Sequence, residues 1–166
     1  MISIGAAVDA GDPVGAAGAI GAQVVQVHLS DPQTWNAPRV SFPGGAGGLR
    51  AALAQAGLAL YVHSPFLINV ATTNSRVRIP SRAVLQKTLD AAAQAGAAGV
   101  VVHGGHVPKD DDPRAGFENW LKCVDRLQLP VPLLIENTAG GAGAMARHLD
   151  RLAQLWQALS QSENFA

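Results

Sequence analysis

Three residues with metal-ligating side chains each stand directly after a short apolar run: His63 after Leu60-Tyr61-Val62, His103 after Val100-Val101-Val102, and Glu136 after Leu133-Leu134-Ile135. Runs of this kind read as strands of a parallel sheet, and reactive groups collect at the carboxyl ends of such strands, about 4.8 Å apart from one strand to the next. Two neutral imidazoles and a carboxylate form the ligand set of many catalytic zinc sites, which keep a further position open for water or substrate. One histidine at a strand end is adequately explained as a polar residue bonded to a loop. Three successive strands ending this way point to a metal centre, with Glu136 the candidate catalytic carboxylate as well as a ligand. His106, in His103-Gly104-Gly105-His106, is placed as an additional ligand or as a group that orients His103. His28, flanked by bulky apolar residues, and His148, expected in mid-helix, read as structural. Sites of this composition accept manganese or iron as well as zinc.

The elements that must position these groups follow from an alternation of short apolar runs with Ala-rich helical stretches, the signature of repeated strand-helix units. Strands buried on both faces are expected at Ile2 to Ala6, Val24 to Leu29, Leu58 to Val62, Gly99 to Val102 and Leu133 to Ile135. The first helix is predicted over Pro13 to Ile20, with Asp12 as N-cap. The second follows Pro43-Gly44-Gly45-Ala46-Gly47-Gly48 and ends at Gly57. A third starts near Ser81 and runs through Leu85, Leu89 and Ala92 to Gly96. A fourth follows Asp112-Pro113 and carries Phe117, Trp120, Leu121, Val124 and Leu127 up to Pro130. A fifth covers Ala144 to Leu159, its Leu149, Leu152, Leu155, Trp156 and Leu159 forming a stripe in which the aromatics read as core. Five units of an α/β, TIM-barrel-type (β/α) repeat result, three short of the eight that close a barrel. A doubly wound open sheet is the other arrangement, but G-x-G-x-x-G spacing is missing after the first strand.

The 166 residues carry 48% hydrophobic positions and no linker-like segment, so one domain over 1–166 is expected. Formal net charge is zero, which removes the basic balance of a protein whose affinity for nucleic acid rests on its own cations; a bound metal can meet phosphates instead. No apolar run approaches the roughly 20 residues of a membrane span, and the N-terminus lacks the pattern of a signal peptide, so a cytoplasmic protein without membrane contact is expected. The single cysteine, Cys123, excludes an internal disulfide and reads as a buried small residue.

Three ordered segments resemble the endonuclease IV family of abasic-site nucleases: His63-Ser64-Pro65-Phe66-Leu67-Ile68-Asn69-Val70-Ala71, Val102-His103-Gly104-Gly105-His106, and Ile135-Glu136-Asn137-Thr138-Ala139-Gly140-Gly141. Gly5-Ala6 and Asp31-Pro32-Gln33-Thr34-Trp35 extend the resemblance to nearly the whole chain. It implies a barrel binding three zinc ions that hydrolyses the phosphodiester 5′ to an abasic site in double-stranded DNA, with metal-activated water as nucleophile. Carried onto this sequence, His63 and His103 hold one zinc and Glu136 bridges it to a second. Phe66 and Leu67 enter the minor groove beside the flipped nucleotide, and Gln33 lies in a loop probing the stack. The family's Asp-Thr-Cys-His motif, the His and Asp-x-His ligands after it and a final Glu have no counterpart here. Ala7 stands where the family commonly has His, and Phe66 where it often has Tyr. The expectation is therefore one complete ligand set at most, and feeble or absent hydrolysis by this chain. The alternatives are a metal-dependent sugar isomerase or epimerase on a related barrel, and a noncatalytic zinc- or DNA-binding remnant.

Overall fold

The computed structural model describes residues 2–138 and 140–164. Ala139, from the Glu136–Gly141 segment, and the ends of the chain at Met1 and Phe165-Ala166 lie outside the described residues. The elements run β1 (Gly5–Ala7), α1 (Pro13–Ile20), β2 (Val24–Val27), α2 (Gly45–Ala56), β3 (Ala59–His63), α3 (Ser75–Gln94), β4 (Gly99–His103), α4 (Pro113–Val124), β5 (Leu133–Glu136) and α5 (Leu149–Leu159). All five strands are parallel, in the sheet order β1-β2-β3-β4-β5. This is the alternating (β/α) arrangement of a TIM barrel, in part.

Helix boundaries follow local chemistry. Asp12 caps α1 by accepting from the Gly15 amide at 2.9 Å, and Pro13 supplies the preset φ of a first helical residue. Asp112 and Pro113 start α4 in the same way, with the Asp112 carboxylate accepting from Arg114 N–H at 2.9 Å. Beyond the end of α3, the Gly96 and Ala97 amides donate to Ala93 and Ala92, the paired bonds of a Schellman motif that needs the left-handed Gly96.

Two helices depart from expectation. α3 begins at Ser75 rather than near Ser81, carrying Pro80 inside it. The bond Pro80 forfeits belongs to the helix's first turns. Those turns are held from outside: Asn74 accepts from Arg76 N–H, and Arg78 donates to the Thr72 and Thr73 carbonyls at 2.8 and 2.9 Å. α5 begins only at Leu149, because Ala144–Ala146 are buried in turns that pair with the loop after β4. His148 is consequently the exposed N-cap residue and not a mid-helix position. Leu149 and Trp156 face outward, at 81% and 62% exposure, so the apolar stripe of α5 narrows to Leu155 and Leu159. The other tryptophan singled out for the core, Trp120, is fully buried.

The strands are not buried on both faces. Val25, Val27, Leu60, Val62, Val100 and Val102 are at most 2% exposed and form one face, packed under the helices with Leu49, Leu85, Leu89 and Trp120. Residues of the opposite parity, among them Gln26, Tyr61, Val101 and Leu134, remain partly accessible. Strand β1 is exposed throughout, and β1 and β5 have no neighbour on their outer edges among the described residues. Helices cover only one side of this sheet, and burial on both faces requires cover on both.

Candidate metal centre

Strand register places the three ligand candidates on one face at one end of the sheet. His103 pairs with Glu136, and His63 pairs with Val101, two residues before His103. Alternate residues of a strand share a face, so His63, His103 and Glu136 all point to the side the helices leave open. They are the last residues of β3, β4 and β5, one step earlier than a position following the strand. Their ligand atoms lie within 4.8 Å of one another.

The donor chemistry fits a cation. His63 Nδ1 is 2.8 Å from the Ser64 carbonyl, which can only accept, so Nδ1 carries the proton. Nε2 of the neutral ring then presents a lone pair, and it stands 2.9 Å from Glu136 Oε2, which also offers only lone pairs when ionised. His103 Nε2 lies 3.8 Å from the same oxygen. Neutral imidazoles and a carboxylate converging in this way need a positive charge between them, either a second proton on a ring or a bound cation. The Ser64 contact is also the partner that fixes a ligating histidine's tautomer. Burial, with the neighbouring His63 second, holds the His103 ring below its ordinary pKa, and Glu136 offsets this only in part.

His28, which the sequence presented as structural, stands against this group. Its ring centroid lies 4.9 Å from those of His63 and Phe66, and its Nδ1 is buried without a hydrogen-bond partner. Burial first, then the charge of His63, lowers its pKa. The signal was there but needed the register: Val27 pairs with Val62, which puts position 28 beside His63. Phe66 closes the cluster from the solvent side, stacked on His103 at 5.6 Å and 13° and edge-on to His63 at 5.4 Å.

The loops carrying the other candidates are pinned. Phe66 N–H donates to the Pro32 carbonyl at 2.8 Å, which ties the segment holding exposed Phe66 and Leu67 to the one holding Gln33. Gln33 is exposed, and its amide donates to Asp31. After β4, the Trp120 indole donates to the Gly104 carbonyl at 2.8 Å, and Met145 N–H donates to the Gly105 carbonyl at 2.9 Å. A Cβ on Gly104 would stand 2.5 Å from that of Ala146, and Gly105 has φ +69° with Asn69 Oδ1 2.5 Å from the Cβ position. Only glycine fits this turn. His106 is exposed and hydrogen-bonded to Asn69, outside the group formed by the three ligand candidates. It lines, with Phe66, His103 and Thr138, an open cleft of about 560 Å³ beside them. Cys123 is buried in the core, its thiol pushed up to about 12 by burial.

A parallel (β/α) sheet with two histidines and a glutamate converging at the carboxyl ends of adjacent strands is the arrangement of a TIM-barrel-type protein with a candidate metal centre. The chain belongs to the xylose isomerase-like TIM barrel family, whose model matches residues 14–166. It is similar to "Probable endonuclease 4" of Mycobacterium ulcerans strain Agy99, with 52% identity over 159 residues that are 96% of this chain and 61% of that protein. The protein of the same description from Mycobacterium leprae strain Br4923 is also 52% identical over 159 residues, with the same coverage. The chain thus spans less than two thirds of the length of these curated relatives. Among solved structures, endonuclease IV from Thermus thermophilus superimposes with a TM-score of 0.75 at 29% identity, covering 93% of this chain and 58% of that one. A D-psicose 3-epimerase, at 12% identity and TM-score 0.69, covering 98% of this chain and 61% of that one, shares the fold alone.

Proposed function

We propose that this chain carries the zinc-binding centre of a DNA-repair endonuclease that hydrolyses the phosphodiester 5′ to abasic sites in double-stranded DNA. The observation that carries the reading is the convergence of His63, His103 and Glu136 within 4.8 Å at the strand ends, in a chain half identical to proteins described as endonuclease 4. His63 and His103 hold the ion through Nε2, with Glu136 as the carboxylate ligand. Zinc bound there supplies Lewis-acid polarisation of a phosphoryl oxygen and lowers the pKa of water. His63 is fixed for this by its bond to Ser64, and Phe66 shields the ring of His103 from solvent. Phe66 and Leu67, exposed beside the centre, are the apolar wedge that enters the minor groove, and Gln33 approaches from the loop tied to Phe66. Glu136, whose side chain is 41% exposed beside the cluster, is the catalytic carboxylate. Residues 1–166 act as one domain. Among the described residues no helix is long and apolar enough to cross a membrane; a cytoplasmic site of action is part of the proposal.

The test is cleavage of a duplex bearing one tetrahydrofuran abasic analogue, with zinc added, by the chain and by a variant combining His63→Ala and Glu136→Ala. The analogue has no aldehyde, so any cut is hydrolytic. A feeble cut 5′ to the analogue at most, lost in the double variant, is expected. Cleavage that survives both substitutions, or zinc binding that does not depend on His63, overturns the reading; His63-dependent zinc binding with no cleavage leaves the chain a metal centre without the hydrolysis.

A further inference from the structure

One buried amide outside the metal centre has all of its hydrogen-bonding capacity used on two loops. Asn69 Oδ1 accepts from His106 N–H at 3.1 Å and from Thr72 N–H at 3.2 Å. Those two donors identify that atom as the oxygen and leave Nδ2 as the nitrogen. Nδ2 donates to the His106 carbonyl at 2.9 Å and faces His106 Nδ1 at 3.3 Å. Its backbone amide donates to Ser81 Oγ at 2.9 Å, so α3 anchors the residue from below. The Thr72 side of the loop is held as well, since Asn119 donates to the Ala71 and Thr72 carbonyls. Asn69 therefore joins the segment after β3, which carries Phe66 and Leu67, to the loop after β4, which carries His106.

The chemistry of this clasp specifies a tautomer. An amide N–H can only donate, so His106 Nδ1 must be the acceptor, and the ring proton resides on Nε2. With Nδ1 occupied, Nε2–H is the only ring atom His106 has left for a ligand, and the exposed ring forms part of the cleft wall. An oriented N–H there matches an oxygen acceptor, and in a site that takes a phosphodiester this is a phosphate oxygen. We propose that His106 is a substrate-binding residue that donates Nε2–H to a phosphate oxygen of the DNA strand in the cleft, and that Asn69 is the positioning residue that fixes this donor. The ligand assigned to His106 rests on the nuclease reading above; the clasp itself does not.

Two measurements separate these parts. The first is long-range ¹H–¹⁵N NMR of the histidine rings in the free protein, which reports which ring nitrogen carries the proton. His106 is expected as the Nε2–H form, and Asn69→Asp, which puts an acceptor where Nδ2 was, is expected to move the proton to Nδ1. An Nδ1–H ring in the unsubstituted chain overturns the clasp. The second is fluorescence anisotropy with the tetrahydrofuran duplex across a salt series. Removal of one hydrogen bond to a charged oxygen by His106→Ala is expected to weaken binding about tenfold. The salt dependence should stay unchanged, because a neutral donor displaces no counterion. His106→Gln, whose amide N–H reaches the same position, should recover most of the affinity. Equal affinity for the chain and His106→Ala overturns the phosphate contact. A chain that binds no duplex at all overturns the nuclease reading and with it the ligand of His106, while the NMR result still decides the role of Asn69.

Discussion

Glu136→Gln should raise the stability of the metal-free chain and remove most of its response to zinc. The substitution keeps the side-chain volume and replaces a carboxylate oxygen by an amide N–H. At a pH where neither ring carries a second proton, lone pairs stand opposed at 2.9 Å between Glu136 and His63, and the variant makes an N–H···N hydrogen bond instead, worth about 0.5–1 kcal/mol at a position whose carboxylate side chain is 41% exposed. For a chain of this length that is a rise of roughly 1–4 °C in Tm. Zinc reverses the order. At about 100 times Kd, bound metal adds about 2.7 kcal/mol to the unsubstituted chain, or roughly 5–11 °C. Loss of a direct ligand is taken to weaken affinity by about 100-fold, the upper end of the roughly 10–100-fold lost when groups that merely orient ligands are removed. The variant would then sit near its own Kd, with a gain of about 0.4 kcal/mol. Melting curves recorded first in chelator and then across a zinc titration should therefore cross. A variant that melts lower than the parent in chelator, and climbs equally with zinc, would refute the opposition of lone pairs and the ligand role together.

Further outcomes follow from the same geometry. Above the ordinary histidine value of 6.5, His28 and His103 are neutral in both folded and unfolded chains and add no pH dependence. As pH falls below it, the unfolded chain takes up protons that the folded one resists, so stability is lost toward the lowered folded values; denaturant midpoints between pH 8 and 5 should decline, and less steeply in His28→Asn. Gly105→Ala combines a left-handed φ with a Cβ 2.5 Å from Asn69 Oδ1; a loss of about 1–3 kcal/mol is expected in urea unfolding, and an unchanged midpoint would contradict the packing of that turn. Cys123, buried and with its thiol near 12, should resist a disulfide reagent in the folded chain and react on unfolding.

The parallel repeat and the candidate site were legible to different depths. His63, His103 and Glu136 could be read because the strand pattern is local: an apolar run ends and a ligand-type residue follows. The helix starts at α1 and α4 were equally local, each an Asp before a Pro. Misreadings came where a distant contact decides. Pro80 is tolerated in α3 because Arg78 and Asn74 hold the first turns against the preceding loop, and nothing near Pro80 in the sequence shows that. Ala144–Ala146 carry helix-forming residues but are spent pairing with Gly105 and His106. Strand burial was overestimated because apolar runs do not state how many faces are covered. The place of His28 beside His63 was hidden for a related reason, since it depends on strand register, which no single strand encodes. Asn69 lay in plain view within Leu67-Ile68-Asn69, yet its role exists only where two loops meet.

Zinc K-edge absorption spectroscopy on the zinc-loaded chain tests the metal centre most directly. Scattering from two imidazole rings and a light oxygen ligand is expected, with one ring lost in His63→Ala and one in His103→Ala. A spectrum showing a sulfur neighbour, or one unchanged by either substitution, would place the metal elsewhere and contradict the account.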